Sequence, residues 1–287
     1  MFFKLSRNFL FVATAVATVI YLGWRTFFTL PFDYGLISII VALILLICEI
    51  VAGFESLEQY LNMVNVNDPE APVIPESWFP EVDILIMTHN EDTELIYKTA
   101  NACRYLDYPD KTKLHIFICD DNNRPEMKAL AEELGVGYHG LSGNKHAKAG
   151  NMNNAIGKTS SPLIATFDAD MIPRSCFLME TVPYFFLPKM KKNEAGVWVE
   201  REEAEIDPDY KIGFIQAPQA FYNPDLFQYN LYSENRIPNE QDYFFREINV
   251  GRNRSNSALF VGSNAVFSRR ALNEVGGGGH QHHNRRF

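Results

Sequence analysis

The residues with the clearest chemical potential are two aspartates, Asp168 and Asp170, separated by one alanine. They follow the short apolar run at 162–166, which predicts a buried β-strand ending at the acidic pair. In an open α/β sheet, ligands bind beyond the carboxyl ends of the strands. Hard divalent cations prefer carboxylate oxygens and bridge diphosphates, so the pair predicts a metal–diphosphate site. A solvated turn is the alternative, because Asp-x-Asp alone is a common pattern.

Two earlier strand ends carry similar polar groups. The run at 82–87 predicts a strand followed by Thr-His-Asn-Glu at 88–91, and the run at 114–119 predicts a second strand followed by Asp-Asp at 120–121. A helical pattern follows each turn, and this alternation predicts an α/β, doubly wound, mostly parallel sheet. Three strands then deliver acidic or polar groups to one sheet edge. Simple exposure explains one such strand end better than it explains three.

A lysine and several asparagines lie between the second and third strand ends, in the segment 144–155. Lys148 at the start of a predicted helix could bind a phosphate together with free backbone N–H groups. The alternative is an asparagine-rich helix cap with a solvated lysine. We assign His146 no ligand role, because no second His or Cys lies at metal-binding spacing. The aromatic residues between 221 and 232 either stack on sugar rings or pack in a core.

The composition describes a folded chain with a membrane anchor. Of 287 residues, 47% are hydrophobic and 21% are charged, which argues against disorder. The net charge of −9 argues against nucleic acid as a partner, because its phosphates require a basic face. The four cysteines show no C-x-x-C spacing, and small buried thiols in a reducing compartment explain them better than disulfides or zinc. They are Cys48, Cys103, Cys119 and Cys176.

Two apolar runs near the amino terminus predict a transmembrane helical hairpin. The runs at 9–30 and 35–53 are each close to the ~20 residues that a helix needs to cross a bilayer. Lys4 and Arg7 place the amino terminus, and everything after Glu55, in the cytoplasm. A cleaved signal peptide is the alternative for the first run, but the second run follows almost at once. The predicted divisions are a hairpin (1–55), a connector and proline-rich linker (56–80), the α/β domain (81–275) and a tail (276–287).

Six motifs in a fixed order carry a family resemblance. They are Thr-His-Asn-Glu (88–91), Cys-Asp-Asp-Asn (119–122), His-Ala-Lys-Ala-Gly-Asn-Met-Asn (146–153), Phe-Asp-Ala-Asp (167–170), Gln-Ala-Pro-Gln (216–219) and Phe-Val-Gly-Ser-Asn-Ala (260–265). Together with the hairpin they resemble the processive family 2 glycosyltransferases of the bacterial cellulose synthase type. The first two motifs are shared by many family 2 transferases, whereas the lysine block followed by the aspartate pair is more specific. The chain departs from the family at Asn122-Asn123, where glycine is usual, and asparagine also tolerates positive φ.

This resemblance implies a GT-A fold and transfer of glucose from UDP-glucose to a growing β-glucan, with Mg²⁺ or Mn²⁺ as cofactor. The metal would act as a Lewis acid that offsets charge on the leaving UDP. It further implies a multi-pass protein of the bacterial plasma (inner) membrane, with a cytoplasmic catalytic domain and accessory synthase subunits as partners. The implied nucleotide-sugar-binding residues are Thr88, Asn90, Glu91, Asp120, Asp121, Lys148 and Asp168. The implied metal ligands are Asp168 and Asp170, and the implied acceptor-binding residues are Phe260, Gly262, Ser263 and Asn264.

The resemblance places the catalytic base beyond Val275. Inverting transfer needs a base for the acceptor proton, and this family uses the aspartate of a Thr-Glu-Asp motif shortly after Gly-Gly. The residues that follow Val275 contain glycines and histidines but no such motif. We therefore assign no catalytic residue within this chain.

The carboxy-terminal segment suggests why the motif is missing. A DNA string that encodes Ala-Thr-Asn-Thr-Ile-Thr-Glu-Asp-Phe reads, from its third base, as the sequence His280–Phe287. The hypothesis is a one-base insertion in the preceding glycine codons, and a histidine-rich metal tail or a tag remnant is the alternative. Under this hypothesis the chain lacks the base, the Gln-x-x-Arg-Trp acceptor motif and the channel helices, and it binds UDP weakly without making polymer. Resequencing the gene tests it.

Two rival functions stay open on the sequence. One is a synthase of another polysaccharide, such as hyaluronan, chitin or a mixed-linkage glucan, which competition among UDP-sugars would separate. The other is a catalytically inactive nucleotide-sugar-binding membrane protein, which predicts binding without turnover even in a restored reading frame. Linkage, processivity and regulation by cyclic di-GMP leave no pattern in these residues.

Overall fold

The computed structural model describes residues 2–64, 66, 68–143 and 146–276, without the side chains of residues 2–7. The predicted tail beyond residue 276 lies outside the described residues. The described chain forms two compact units, one made of 2–68 with 219–259 and the other of 69–218 with 260–276.

The described residues contain ten α-helices and eight β-strands. The helices are α1 (Phe2–Phe28), α2 (Leu36–Val64), α3 (Thr93–Arg104), α4 (Pro125–Leu134), α5 (Ala147–Ile156), α6 (Phe177–Thr181), α7 (Leu226–Asn230), α8 (Glu240–Tyr243), α9 (Asn249–Arg252) and α10 (Arg269–Glu274). The strands are β1 (Val82–Thr88), β2 (Leu114–Asp120), β3 (Gly137–Gly140), β4 (Leu163–Asp168), β5 (Met190–Lys192), β6 (Trp198–Glu200), β7 (Phe214–Gln216) and β8 (Ala265–Ser268).

The first unit contains the predicted hairpin. Asn8–Phe28 and Leu36–Val64 are both long and apolar enough, by length and composition, to cross a membrane. The two helices pack antiparallel, with the rings of Phe11 and Tyr60 stacked 5.4 Å apart. α2 continues eleven residues past the predicted end of the second span at 53, so the first part of the predicted connector is helical.

A charged pair links the two helices of the hairpin. The Arg25 guanidinium donates to the Glu49 carboxylate at 3.1 Å, and the Tyr21 hydroxyl donates to the same carboxylate at 3.2 Å. Arg25 also donates to Thr29 Oγ1 at 2.6 Å. By snorkelling alone, Arg25 would place its charge at the membrane interface. In the structure the Arg25 charge is instead paired with Glu49 on the neighbouring helix. A charge in an apolar segment is stabilised by such a partner.

The rest of the first unit, 219–259, contains the short helices α7, α8 and α9. Arg254 donates to the carbonyl of Leu61 at 2.8 Å, which ties this segment to the last turns of α2. The aromatic residues between 221 and 232 do not pack in a core: Tyr222 is fully exposed, and most of the surface of Phe227 and Tyr232 is exposed.

The second unit is built on a six-stranded sheet with the strand order β3-β2-β1-β4-β8-β7. β1 pairs in parallel with β2 and with β4, β2 pairs in parallel with β3, and β8 runs antiparallel to both of its neighbours. This arrangement confirms the predicted α/β class with a mostly parallel, doubly wound sheet. The predicted strands at 82–87, 114–119 and 162–166 are present. β3 is an additional strand, because the short segment 137–140 has too few apolar residues to show a strand pattern.

Hydrophobic cores cover both faces of this sheet. In β1, Val82, Ile84 and Ile86 face one core, while Leu85 and Met87 face the other. Every residue of β1 is buried, as expected for a central strand of a parallel sheet covered on both sides. Helices α3, α4 and α6 contribute to the first core, and α5 and α10 contribute to the second. Cys103 and Cys119 are fully buried within these cores as free thiols, as predicted, whereas Cys48 is exposed on α2 and Cys176 is partly exposed, contrary to the prediction.

A two-stranded antiparallel sheet, β5–β6, forms in the segment 189–205, which is rich in lysine and glutamate. Gly196 takes a φ of +76° in its turn, a conformation that favours glycine. Lys191 pairs with Glu205 at 2.6 Å, and the Lys192 ammonium lies 5.3 Å from the centre of the Trp198 ring. These charged side chains therefore lie on the surface of a folded β-hairpin.

Candidate functional site

The carboxyl ends of three parallel strands meet at one edge of the sheet. In the strand register Thr88 of β1 is opposite Asp120 of β2, and Met87 is opposite Asp168 of β4. The polar groups that follow these strands are therefore neighbours in space although they lie far apart in the chain. The predicted convergence is confirmed.

The turn after β1, residues 88–91, is held by its own side chains. The Glu91 carboxylate accepts from the Thr88 hydroxyl at 2.8 Å and from the His89 N–H at 2.7 Å. Partial burial of Glu91 raises its pKa, but these two hydrogen bonds, a bond from its own backbone and the nearby Arg124 charge together outweigh burial, so the net pKa lies below its ordinary value. The carboxylate is thus ionised and fixed at neutral pH.

Arg124, just before α4, clamps this turn to the end of β2. Its guanidinium donates to the Thr88 hydroxyl and to the Glu91 carbonyl, both at 2.8 Å, and to Asp120 Oδ1 at 3.2 Å. Asp120 is fully buried and also accepts from the Arg124 N–H at 2.5 Å and from the Tyr138 hydroxyl at 3.0 Å. Burial and the Asp120 charge raise the pKa of Tyr138. Of the two predicted aspartates, Asp120 therefore faces protein partners and holds Arg124.

Asp121 and the asparagines lie nearer to the surface of this edge. The Asp121 carboxylate contacts His89 Nδ1 at 2.5 Å, and the His89 ring is largely exposed. The Asn122 amide donates to the His89 carbonyl at 3.0 Å and to Asn90 Oδ1 at 2.5 Å. The departure from glycine thus adds two bonds between the turns after β1 and β2. Asn123 takes a φ of 51°, so asparagine does adopt the positive φ at this turn.

Lys148 brings the predicted diphosphate and acceptor motifs together. It lies in the first turn of α5, and its ammonium donates both to Asp168 Oδ1 and to the carbonyl of Gly262. The side chains of Lys148 and Asp168 are 37% and 36% exposed, so the pair is open to solvent. Asp168 is further fixed because its N–H donates to the Ser263 hydroxyl at 2.8 Å.

The acceptor motif, 260–264, forms a loop pinned to β4 and β7. The Asn264 N–H donates to the Thr166 carbonyl at 2.9 Å, and the Gln216 side chain accepts from the Val261 N–H at 3.0 Å and donates to the Ser263 carbonyl at 2.8 Å. Gly262 and Asn264 both have positive φ, at 85° and 56°. Ser263 is fully buried, whereas Phe260 is partly exposed and packs its ring on Phe267.

The donor atoms at the Asp168–Asp170 turn fit a hard divalent cation. Asp168 is half-buried, Asp170 is exposed, and the Thr99 hydroxyl fixes the turn between them by donating to the Ala169 carbonyl at 2.6 Å. In the described part of the chain no cluster of three or more His, Cys, Asp or Glu side chains forms a ready metal site. A cation held here would take two protein carboxylates and complete its shell with ligand phosphate and water, as Mg²⁺ commonly does.

The catalytic base, expected beyond Val275, stays a prediction. Val275 directly follows α10, and its N–H donates to the Ala271 carbonyl at 3.3 Å. The described residues continue for one position past it, to Gly276. The segment in which the family pattern places the base, and the frame hypothesis for His280–Phe287, therefore lie outside the described residues. The site as described holds candidate groups for the donor, the metal and the acceptor.

Three side chains that position the site have no role assigned from the sequence. Arg124 lies outside the six motifs, directly before α4, whereas Gln216 and Asn151 lie within the motifs 216–219 and 146–153. Asn151 is 1% exposed and donates to the Cys119 carbonyl at 2.6 Å, so it anchors α5 to the end of β2. Their common signal is a polar residue placed directly at a strand end or inside a motif that already carries chemistry.

The comparisons with known proteins place this fold and site in a family. The sequence profile of glycosyl transferase family 2 matches residues 83–276. The chain therefore belongs to glycosyl transferase family 2, and its relatives make it a cellulose-synthase-like member. It is 34% identical over 275 residues to cellulose synthase 1 of Komagataeibacter xylinus, covering 95% of this chain and 16% of that protein. It is 32% identical to the cellulose synthase catalytic subunit (UDP-forming) of Pseudomonas fluorescens, covering 93% of this chain and 33% of that protein.

The chain thus spans one third or less of the length of these curated relatives. Among solved structures, it is similar to the mannosyltransferase PcManGT from Pyrobaculum calidifontis in complex with GDP-Man and Mn²⁺. That similarity has a TM-score of 0.48 and 18% sequence identity, and it covers 74% of this chain and 51% of the mannosyltransferase. The matching family and the mostly parallel sheet agree with the GT-A fold expected from the sequence.

Proposed function

We propose that this chain carries the donor half of a membrane glycosyltransferase that transfers glucose from UDP-glucose to a growing β-glucan. The observation that carries the proposal is the meeting of Lys148, Asp168 and Gly262 at the sheet edge where the turns after β1 and β2 also end. Glycosyl transfer from a nucleotide sugar needs a positive group for the diphosphate, an acidic ligand for the metal and a binding loop for the acceptor. Lys148, Asp168 and the loop that contains Gly262 are the candidates for these three roles.

The turns at 88–91 and 120–122 supply the nucleoside pocket in this proposal. Thr88, Asn90, Glu91 and Asp121 offer hydroxyl, amide and carboxylate groups to uracil and ribose. Arg124 and the buried Asp120 fix these turns from behind, which lowers the entropy that the pocket would otherwise lose on binding.

Lys148 binds the diphosphate, and Asp168 and Asp170 hold Mg²⁺ or Mn²⁺. The bound cation would act as a Lewis acid for the negative charge on the departing UDP. The loop 260–264 binds the acceptor end of the glucan beside Asp168, with Gln216 and Ser263 fixing its backbone. This places donor and acceptor on the two sides of one carboxylate, so the reacting atoms are held close together.

The hairpin α1–α2 anchors the enzyme in a bilayer, with the glycosyltransferase unit on the cytoplasmic side where UDP-glucose is made available. The apolar length of both helices supports this localisation. Accessory subunits of a synthase would assemble around this anchor.

Binding of UDP to the purified full chain in detergent tests the proposal. We expect UDP to bind in the presence of Mn²⁺, and UDP-glucose to compete better than UDP-N-acetylglucosamine or GDP-mannose. The double variant Asp168→Asn with Asp170→Asn should lose Mn²⁺-dependent binding. Asp207→Asn with Asp209→Asn is the matched control, because it removes the same Asp-x-Asp pair from the exposed segment after β6. Equal binding in both double variants, or the absence of UDP binding in the natural chain, would overturn the proposal.

A further inference from the structure

The Lys148 ammonium occupies a position lined by oxygen atoms. Its two acceptors are a carboxylate oxygen of Asp168 and the carbonyl oxygen of Gly262. Carboxylate and backbone carbonyl oxygens are also the groups that a hard divalent cation takes from a protein. The ammonium thus sits against the carboxylate that the proposed function assigns to the metal.

Arg124, another basic group that the structure describes at this edge, has a fixed place. The Arg124 side chain is only 16% exposed and has three acceptors, so it cannot leave without unpairing the buried Asp120. Lys148 differs: it has a flexible four-carbon stem, its pair with Asp168 is more than a third exposed, and both of its acceptors can be rehydrated. Of Arg124 and Lys148, the two cations compared among the described residues, Lys148 is therefore the one that an incoming ligand can displace.

We propose that Lys148 is a built-in substitute cation, which neutralises Asp168 before the donor arrives and moves to the diphosphate when nucleotide and metal bind together. This inference rests on the proposed function, since it assigns an order of binding to that same site. The charge balance supports it: a divalent cation added alone would meet the ammonium at Asp168, whereas a cation added with a diphosphate brings the negative charge that draws Lys148 away.

The consequence is coupling between metal and nucleotide. Metal alone binds weakly because it must displace or tolerate Lys148. Nucleotide removes that obstacle, and thermodynamic reciprocity requires the metal to strengthen nucleotide binding by the same factor. Because Lys148 also donates to the Gly262 carbonyl, its departure removes one of the contacts that hold the acceptor loop 260–264 when the donor is in place.

A titration of the full chain in detergent with Mn²⁺ tests this inference. The titration is done with and without saturating UDP, and free Mn²⁺ is measured from its electron paramagnetic resonance signal. In the natural chain we expect UDP to tighten Mn²⁺ binding by about fivefold or more, the lower end of usual coupling between two sites. Lys148→Met should bind Mn²⁺ more tightly than the natural chain when UDP is absent, and it should bind UDP more weakly. Lys148→Arg keeps the positive charge and should bind Mn²⁺ alone as weakly as the natural chain.

Lys158→Met is the matched control, because it removes an exposed lysine just beyond the other end of α5. Unchanged or weaker Mn²⁺ binding by Lys148→Met without UDP would overturn the inference, even if its UDP binding falls as the proposed function requires. Tighter Mn²⁺ binding by Lys148→Arg would also overturn it, since the charge would then not be the cause. The UDP-free titration gives its answer whether or not the natural chain binds UDP, so the two proposals fail separately.

Discussion

Replacing Arg124 with methionine removes three hydrogen bonds at the proposed nucleotide pocket while keeping an unbranched side chain. The guanidinium donates to the Thr88 hydroxyl, the Glu91 carbonyl and the Asp120 carboxylate. Asp120 keeps the Tyr138 hydroxyl and the backbone N–H of residue 124, so its charge loses its ion-pair partner without losing every donor. Bonds to charged groups contribute more than neutral ones, and the total loss in the free energy of unfolding is about 3 kcal/mol.

For a unit of this size, a loss of that magnitude lowers the melting temperature by roughly 6–12 °C. We also expect UDP to bind about tenfold more weakly, which corresponds to about 1.4 kcal/mol. The physical reason is that Thr88 and Glu91 lose the donor that holds them, so nucleotide binding must order the turn at 88–91.

Arg269→Met is the matched control, because it breaks a second buried Arg–Asp pair at the opposite edge of the same sheet. Arg269 donates to Asp83 at 2.6 Å and to the carbonyls of Ser161 and Ile156. Thermal unfolding and UDP calorimetry on both variants separate stability from positioning. The reasoning is refuted if both variants lose similar stability and bind UDP with the same affinity.

Two further predictions concern the pH dependence of the pocket and the membrane hairpin. Glu91 has a pKa below its ordinary value of 4.5, so its ionised carboxylate stabilises the fold above that pH, and this contribution is lost as the pH falls through the folded pKa. In urea unfolding, Glu91→Gln should be less stable than the natural chain at pH 7, and the difference should shrink below about pH 4.5. A difference that stays constant with pH would contradict this prediction. Arg25→Leu and Glu49→Leu should each lower the melting temperature in detergent more than the double variant does, because each single change strands one charge in an apolar hairpin; additive losses would show that the pair is not coupled.

The elements of the glycosyltransferase unit could be predicted because their patterns are local. The short apolar runs at 82–87, 114–119 and 162–166 predicted β1, β2 and β4 within one or two residues. Parallel strands then required the groups at 88–91, 120–121 and 168–170 to share an edge, and the register confirms it. The family motifs gave the candidate site residues, and the family profile matches residues 83–276.

Other features needed the tertiary structure. Asp120 and Asp121 are chemically identical neighbours, yet the first is fully buried against Arg124 and the second contacts an exposed histidine. α2 runs on to Val64 because its polar last turns find partners in the segment 219–259, including Arg254 on the Leu61 carbonyl.

By itself, then, the sequence determined that β1, β2 and β4 form and which polar groups gather at their ends, since short apolar runs and chain connectivity decide these. Only the tertiary structure decided which of those groups pair. Lys148 meets Asp168 across 20 residues and Gly262 across 114, and Arg124 meets Thr88 across 36. Such pairings depend on the positions of side chains in space to within a few tenths of an ångström, and no spacing along the chain encodes that distance.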